Sequence, residues 1–258
     1  MLFFFDHCNM DVASSEINAD ITSICHYSVN HGLSINSSKS SVVIFCSDSK
    51  RSDIETSLIV KVNNIPIPFS DHIKCLGLFI DKKLRFHKHI SALLQKSYIR
   101  LKMLYANKSL LNFKMRKKLC EALVLSVFWY SSIVYYPCLD QATCRRLSVV
   151  QNNCIRFIFR IRKYDHISDC FRTMGWLKFP ILVDFYYIVF LYKLLSTGIP
   201  VYLREKLIFR HSIHDRCIRN TSKLTMPLHC TTLFSRSFTH KSVTLYNTFV
   251  CNLANMSL

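Results

Sequence analysis

Apolar residues recur at helical spacing in several parts of this chain. Near the amino end, positions three or four apart form one stripe that stops just before Gly32: Ala13, Ile17, Ile21, Ile24 and Ser28. This period predicts an amphipathic helix, which glycine can close because it takes the left-handed conformation without strain. The helical period returns after residue 85 and predicts four substantial helices, at about residues 90–104, 119–136, 147–161 and 182–195.

Short β-branched runs predict strands in the first third of the chain. Residues 33–36 and 41–46 flank a polar turn, and residues 61–64 precede two prolines that favour a sheet edge. Residues 73–81 form the best strand pattern, where Gly77 indicates either a bulge or the close approach of another backbone. We therefore predict an α+β region at 1–84, a basic helical region at 85–164 and a helical carboxy-terminal region at 165–258.

Composition supports this helix-rich α+β class. Four glycines and six prolines are too few for a many-stranded sandwich or barrel, and 50% hydrophobic residues suffice for a core. The twelve cysteines include no C-x-x-C pair, so we interpret them as reduced interior residues and predict no metal site. Cys25, Cys46, Cys75, Cys120 and Cys154 are expected to be buried. This usage favours an intracellular, reducing compartment, whether nuclear or cytoplasmic.

The net charge of +18 is concentrated in the middle of the chain. Residues 82–164 hold eighteen Lys and Arg residues but only Glu121 and Asp140 as acids. A solvated helix face normally mixes the two signs, so this excess predicts a surface that binds a polyanion such as nucleic acid. The two most apolar stretches, 119–136 and 181–195, are shorter than the roughly 20 residues of a membrane span and carry charges. We therefore predict no membrane partner.

One cluster of cations lies at the predicted start of the helix over 119–136. Lys114, Arg116, Lys117 and Lys118 oppose the helix dipole there, so helix stability alone would not select them. Cations beside free backbone N–H groups are typical of a phosphate site. The cluster is therefore predicted to contact a nucleic-acid backbone.

The order of motifs resembles the late palm and following segments of reverse transcriptases from jockey-type non-LTR retrotransposons, which are RNA-directed DNA polymerases. The resemblance covers most of the chain. In the first region it rests on the helix at 17–31, the turn Gly32-Leu33-Ser34-Ile35-Asn36-Ser37-Ser38-Lys39-Ser40, and Ile73-Lys74-Cys75-Leu76-Gly77-Leu78-Phe79-Ile80-Asp81 followed by Leu84, Phe86 and His89. Further along it rests on Val149-Val150-Gln151-Asn152-Asn153-Cys154-Ile155-Arg156-Phe157-Ile158, Trp176-Leu177, Tyr192-Lys193-Leu194-Leu195 and Arg236-Ser237-Phe238.

The resemblance implies specific roles. Lys39 would be the catalytic lysine that approaches the leaving pyrophosphate, where a placed cation stabilises developing charge. Leu76 and Gly77 would form the primer grip, and residues 85–164 would be thumb-like. The expected partner is an RNA or DNA template–primer duplex, and the upstream polymerase segment is a further expected partner. Together with the charge pattern, the expected nucleic-acid-binding residues are Leu76, Gly77, Lys96, Arg100, Lys114, Arg116, Lys117, Lys118, Arg145 and Arg146.

The chain departs from this family in its catalytic carboxylates. Reverse transcriptases hold two magnesium ions with closely spaced aspartates, but this sequence contains no Asp-Asp pair. We therefore expect no bound cofactor and no polymerisation by this chain alone, with the metal-binding segment upstream of Met1. The alternatives are a basic helical scaffold that meets a partner protein or an anionic membrane, and a decayed gene product that folds poorly.

Overall fold

The computed structural model describes residues 10–213, 222–229 and 231–256. It is mainly helical with two small antiparallel sheets, so the general α+β class is confirmed. The chain divides into two units, Met1–His89 and Ile90–Leu258. The three predicted regions, 1–84, 85–164 and 165–258, stay a prediction, and residues 1–9, 214–221, 230, 257 and 258 lie outside the described ranges.

The described part of the first unit is built mainly from two helices and two hairpins. Helix α1 spans Met10–Asn30 and α2 spans Asp48–Ser57; strands β1 (Lys61–Val62) and β2 (Ile65–Pro66) form one hairpin, and β3 (His72–Cys75) and β4 (Leu78–Asp81) form the other. A small core holds the first hairpin against α1: Ile17, Leu58 and Val60, with Ile21, Val42, Ile54, Ile67 and Phe69 around it.

Asn18 fixes the contact between α1 and the first hairpin. Its Nδ2 donates to the Ile59 carbonyl at 2.8 Å, while its Oδ1 accepts from the Lys61 N–H at 2.8 Å. The hairpin then turns through Asn63 and Asn64, both at positive φ. Asparagine tolerates this conformation, which explains how a turn without glycine joins the strands.

The two strands predicted on either side of the polar turn were wrong. Residues 33–36 and 41–46 form no strand, and only Val42 makes an isolated bridge, to Phe69. A β-branched run needs a neighbouring edge to pair with, and most of this segment has none among the described residues. The residues that follow it form the polar helix α2, whose helical character no apolar stripe indicated.

The second unit is helical within the described residues. Its helices are α3 (His87–Ala106, whose first three residues belong to the first unit), α4 (Phe113–Leu119), α5 (Ser126–Trp129), α6 (Ser132–Tyr135), α7 (Gln141–Phe159), α8 (Ser168–Met174), α9 (Phe179–Thr197), α10 (Val201–Arg204), α11 (Thr232–Ser235) and α12 (Phe238–Met256). The predicted stripe of α3 is confirmed, because Ile90, Leu94, Leu101 and Leu104 are buried.

The helix predicted over 119–136 is interrupted. A π-helical segment, Cys120–Leu125, joins α4 to α5, and Ser131 takes a left-handed conformation (φ 54°) between α5 and α6. Buried Tyr135 stabilises this break, because its hydroxyl donates to the Phe128 carbonyl at 2.5 Å. Burial also raises the pKa of Tyr135, so the phenol keeps the proton that it donates.

Helix α9 is apolar on nearly all sides. Its buried face is Phe179, Val183, Tyr187, Leu191 and Leu194. Ile181, Phe185 and Tyr192 are nevertheless exposed, and residues 168–197 are long and apolar enough to cross a membrane. Within this helix Asp184 pairs with Lys241 of α12 at 3.0 Å. The absence of a membrane partner therefore stays a prediction.

Candidate nucleic-acid interface

Among the described residues, the basic residues between positions 82 and 164 are almost all without a carboxylate partner. Lys82 pairs with Asp71 and Lys83 with Asp48, each at 2.6 Å, and these contacts lower the pKa of both aspartates. The remaining sixteen cations form no salt bridge with any carboxylate in the described ranges. The charge excess seen in the sequence therefore persists in the folded chain.

Helix α3 presents Lys96 and Arg100 one turn apart. Lys96 is exposed, whereas Arg100 is partly buried and its Nη1 donates to the Leu123 carbonyl at 2.6 Å. Arg100 therefore ties α3 to the π-helical segment. Its remaining N–H groups can still meet a phosphate, since a guanidinium has five donors.

Helix α4 begins one residue after Asn112, whose Oδ1 accepts from the Met115 N–H at 2.9 Å. This cap already satisfies one of the free backbone N–H groups that were predicted to bind a phosphate. Lys114 and Lys118 are exposed one turn apart. Lys117 is half-buried and donates to the Met174 carbonyl at 3.4 Å. Lys114 and Lys118 are the cations of α4 that face solvent.

Arg116 differs from its neighbours because only 6% of it is exposed. Its Nη1 donates to the Phe157 carbonyl of α7 at 3.4 Å, and burial, with the nearby Arg160, lowers its pKa. Arg116, Cys120 and Val124 lie four residues apart and are all buried. That stripe is visible in the sequence and could have shown that Arg116 faces inward rather than toward a ligand on the open surface.

Helix α7 carries cations at both ends. Arg145 and Arg146 are exposed near its start, where the Asp140 carboxylate caps the helix by accepting from the Thr143 N–H at 2.7 Å. Arg156 lies in the last turn, about 16 Å further along the axis. The structure therefore brings Arg116 to the far end of α7, away from Arg145 and Arg146.

Lys39 lies in the first unit, in a 3-10 turn at Ser37–Lys39. The Asn36 side chain accepts from Ser38 Oγ at 2.6 Å and from the Lys39 N–H at 3.3 Å, so the polar turn closes on itself. The Lys39 side chain is exposed. Its role as a leaving-group lysine stays a prediction.

Leu76 and Gly77 form the tip of a hairpin, so the single strand predicted over 73–81 was wrong. Both residues have positive φ, 46° and 85°, and the strands pair from His72 with Asp81 to Cys75 with Leu78. Gly77 thus serves a tight turn rather than a bulge. Leu76 is 85% exposed at this tip, where both its side chain and the adjoining backbone are accessible.

Two cations that gather at this hairpin, Lys74 and Lys88, were not among the predicted nucleic-acid-binding residues. Lys74 of β3 and Lys88 of α3 each lie over the Phe79 ring, at 5.6 and 5.4 Å from its centroid, and Lys88 also contacts the His72 ring. Lys74 and Phe79 are paired across the strands, so they share one face. Strand alternation would have indicated this face had the turn been placed correctly.

Within the described residues, no three His, Cys, Asp or Glu side chains gather in a way that could hold a metal ion. Cys120 and Cys154 are buried as expected, Cys25 and Cys46 are partly exposed, and Cys75 is exposed on the hairpin, contrary to expectation. The Cys154 thiol donates a hydrogen bond to Cys120, and this bond together with burial raises the pKa of Cys154, so this thiol stays protonated.

No family model, curated protein or solved structure matches the chain. The resemblance to reverse transcriptases therefore rests on the quoted motifs and stays a prediction.

Proposed function

We propose that this chain binds template–primer nucleic acid through the exposed cations of α3, α4 and α7, as the thumb-like part of a jockey-type reverse transcriptase. The observation that carries the proposal is the set of sixteen cations without a carboxylate partner among the described residues. Such an excess repels itself in the free protein and is relieved when phosphates replace the missing acids.

The spacing of the cations favours a long polyanion over a small anion. Arg145 and Arg156 lie about 16 Å apart along α7, a length that spans several phosphates of a strand at about 3.4 Å each. Lysine and arginine contacts of this kind position the protein on the sugar–phosphate backbone and carry no sequence information. Binding should therefore depend on salt and hardly on base sequence.

The first unit supports the palm part of the proposal. The long helix α1, the Asn36–Lys39 turn and the β3–β4 hairpin follow one another in the order of the family motifs. The hairpin offers an exposed tip at Leu76 and Gly77 for a primer strand. Lys39 would act on a leaving pyrophosphate only beside two magnesium ions, whose aspartates this chain lacks.

The proposal is tested by comparing two polyanions at several salt concentrations. Fluorescence anisotropy should show salt-sensitive binding to a fluorescent primer–template duplex, and little affinity for vesicles that contain phosphatidylserine. Duplexes of unrelated sequence should bind within a few-fold of each other. No binding even in dilute buffer would contradict the proposal.

An anionic membrane is the second candidate, because Ile181, Phe185 and Tyr192 expose an apolar face on α9. Binding to the vesicles but not to the duplex would favour it. The variant Tyr192→Gln, at an exposed position, separates the two candidates further, since it should weaken insertion into lipid and leave duplex affinity unchanged.

Catalysis is tested separately from binding. With magnesium, a primed template and the four deoxynucleotides, the chain should bind the duplex but should not extend the primer. Extension that survives purification to homogeneity would show that other carboxylates hold the metal ions, and would contradict this part of the proposal.

A further inference from the structure

Three arginines belong to, or contact, the carboxy-terminal end of α7. Arg156 lies in the last turn and Arg160 follows the helix, where its Nη2 donates to the Lys108 carbonyl at 3.2 Å. Arg116 enters from α4 and donates to the Phe157 carbonyl. We call Arg116, Arg156 and Arg160 the arginine cluster.

The helix end explains only part of this charge. The free carbonyls of a helix carboxy terminus act as roughly half a negative charge, which favours one nearby cation. Three guanidinium groups exceed this several-fold. No carboxylate of the described residues forms a salt bridge with any of them.

Acids close in sequence already have other partners. Asp165 accepts from the Arg162 backbone N–H at 3.2 Å, and Glu121 accepts from Trp176 Nε1 at 2.9 Å. The cluster is therefore not neutralised from within the part of the chain that the structure describes.

Two N–H groups of the cluster also lack an acceptor among the described residues. The Nε atoms of Arg116 and Arg156 are buried and have no hydrogen-bond partner, and Arg116 as a whole is 94% buried. A buried cation with neither counter-charge nor full hydrogen bonding is strongly unfavourable. Arg160, at the same helix end, is exposed to solvent.

We infer that the arginine cluster binds a phosphate group. The planar guanidinium fork suits phosphate oxygens, and a phosphate would supply both the missing negative charge and acceptors for the two Nε–H groups. The group comes either from a nucleic-acid backbone, in which case the inference rests on the proposed function, or from a free phosphate, in which case it does not.

The test uses thermal unfolding with inorganic phosphate, compared with chloride at equal ionic strength. Saturating phosphate should raise the Tm of the full chain by about 5 °C or more beyond chloride. Arg160→Gln should remove most of that difference, and Arg116→Met should abolish it. Arg160 is exposed, so its variant tests the site even if the variant at buried Arg116 fails to fold.

Arg162→Gln is the matched control. Arg162 is exposed two residues from the cluster, and only its backbone N–H engages Asp165, so its variant should keep the full phosphate effect. An equal phosphate effect in all variants, or none in the unchanged protein, would overturn the inference.

Duplex affinity identifies the source of the phosphate. If Arg160→Gln lowers affinity at least several-fold more than Arg162→Gln, the site takes a backbone phosphate; if both bind the duplex equally while the Tm effect is lost only in Arg160→Gln, it takes free phosphate. Duplex binding without a phosphate effect on the Tm would overturn this inference and leave the proposed function standing. If phosphate raises the Tm through the cluster but the protein does not bind the duplex, the proposed function is overturned and this inference stands.

Discussion

Leu76 has a backbone conformation that few leucines adopt. Its φ of 46° is followed by 85° at Gly77, the pattern of a tight hairpin turn in which asparagine or aspartate usually precedes glycine. A side chain with a Cβ costs about 1 kcal/mol in this region. A strained, 85% exposed leucine is thus retained at a position where asparagine would be more stable.

We expect Leu76→Asn to raise the free energy of unfolding by about 1 kcal/mol in urea denaturation, because asparagine tolerates the left-handed region. If the tip touches the primer, duplex affinity should fall in the same variant. Leu110→Asn changes another exposed leucine, which lies outside the hairpin, and should alter neither quantity much. A destabilised Leu76→Asn protein would contradict the turn assignment.

Buried His89 should make the stability of the fold depend on pH. The side chain is buried, and desolvation lowers its pKa below the usual value near 6.5. The unfolded chain therefore binds the proton more readily, and stability should fall as pH drops from about 6.5 toward the lowered pKa.

Urea denaturation between pH 7.5 and 5 checks this expectation. His89→Gln should flatten the pH dependence over that range, while His87→Gln, exposed two residues earlier on the same helix, should leave it in place. A steeper loss of stability in His89→Gln than in the unchanged protein would contradict the assignment.

At the scale of elements, the long helices were predictable and the short ones were not. The stripes of α1, α3 and α7 repeat over several turns, so their period identifies them despite errors of a few residues at the ends, and α9 is identified by its long apolar run. Helix α2 is polar and the break at Ser131 follows from local backbone geometry, so neither leaves a periodic signal. In the segment at 33–46 the pattern predicted strands that do not form, because strand propensity has no effect without a neighbouring strand edge to pair with.

Gln151 connects two of these helices. It lies on the buried face of α7, where its Nε2 donates to the Leu177 carbonyl at 2.8 Å and its Oε1 accepts from the Phe179 N–H at 2.9 Å. Both backbone groups belong to the entry into α9. The glutamine in the motif at 149–158 therefore has a structural explanation that requires no ligand.

Gln151→Leu should lower the free energy of unfolding by about 2 kcal/mol or more, because two backbone groups lose their partners in a buried site. The same substitution at exposed Gln141, in the first turn of α7, should cost much less. Chemical denaturation of the two variants provides the comparison. Equal losses of stability in the two variants would show that the two hydrogen bonds of Gln151 contribute little.

At the scale of the whole molecule, the charge pattern could be predicted from sequence and the placement of individual cations could not. The excess of cations in residues 82–164 is found by counting Lys, Arg, Asp and Glu in the sequence. Whether a cation faces solvent depends on helix packing, which buries Arg116 and exposes Lys114 and Lys118 from the same short segment. The candidate interface is therefore narrower than the set of residues that the sequence indicated.

The salt dependence of duplex binding tests the central claim most directly, namely that these exposed cations bind phosphates. One variant replaces Lys114, Lys118 and Arg146 with glutamine; its control replaces exposed Lys178, Lys193 and Lys206, which removes the same charge from outside the basic region. Plots of log K against log salt concentration should lose about 2 to 3 units of slope in the first variant, at roughly 0.9 for each lost phosphate contact, and almost none in the control. Equal slopes for the two variants would contradict the account.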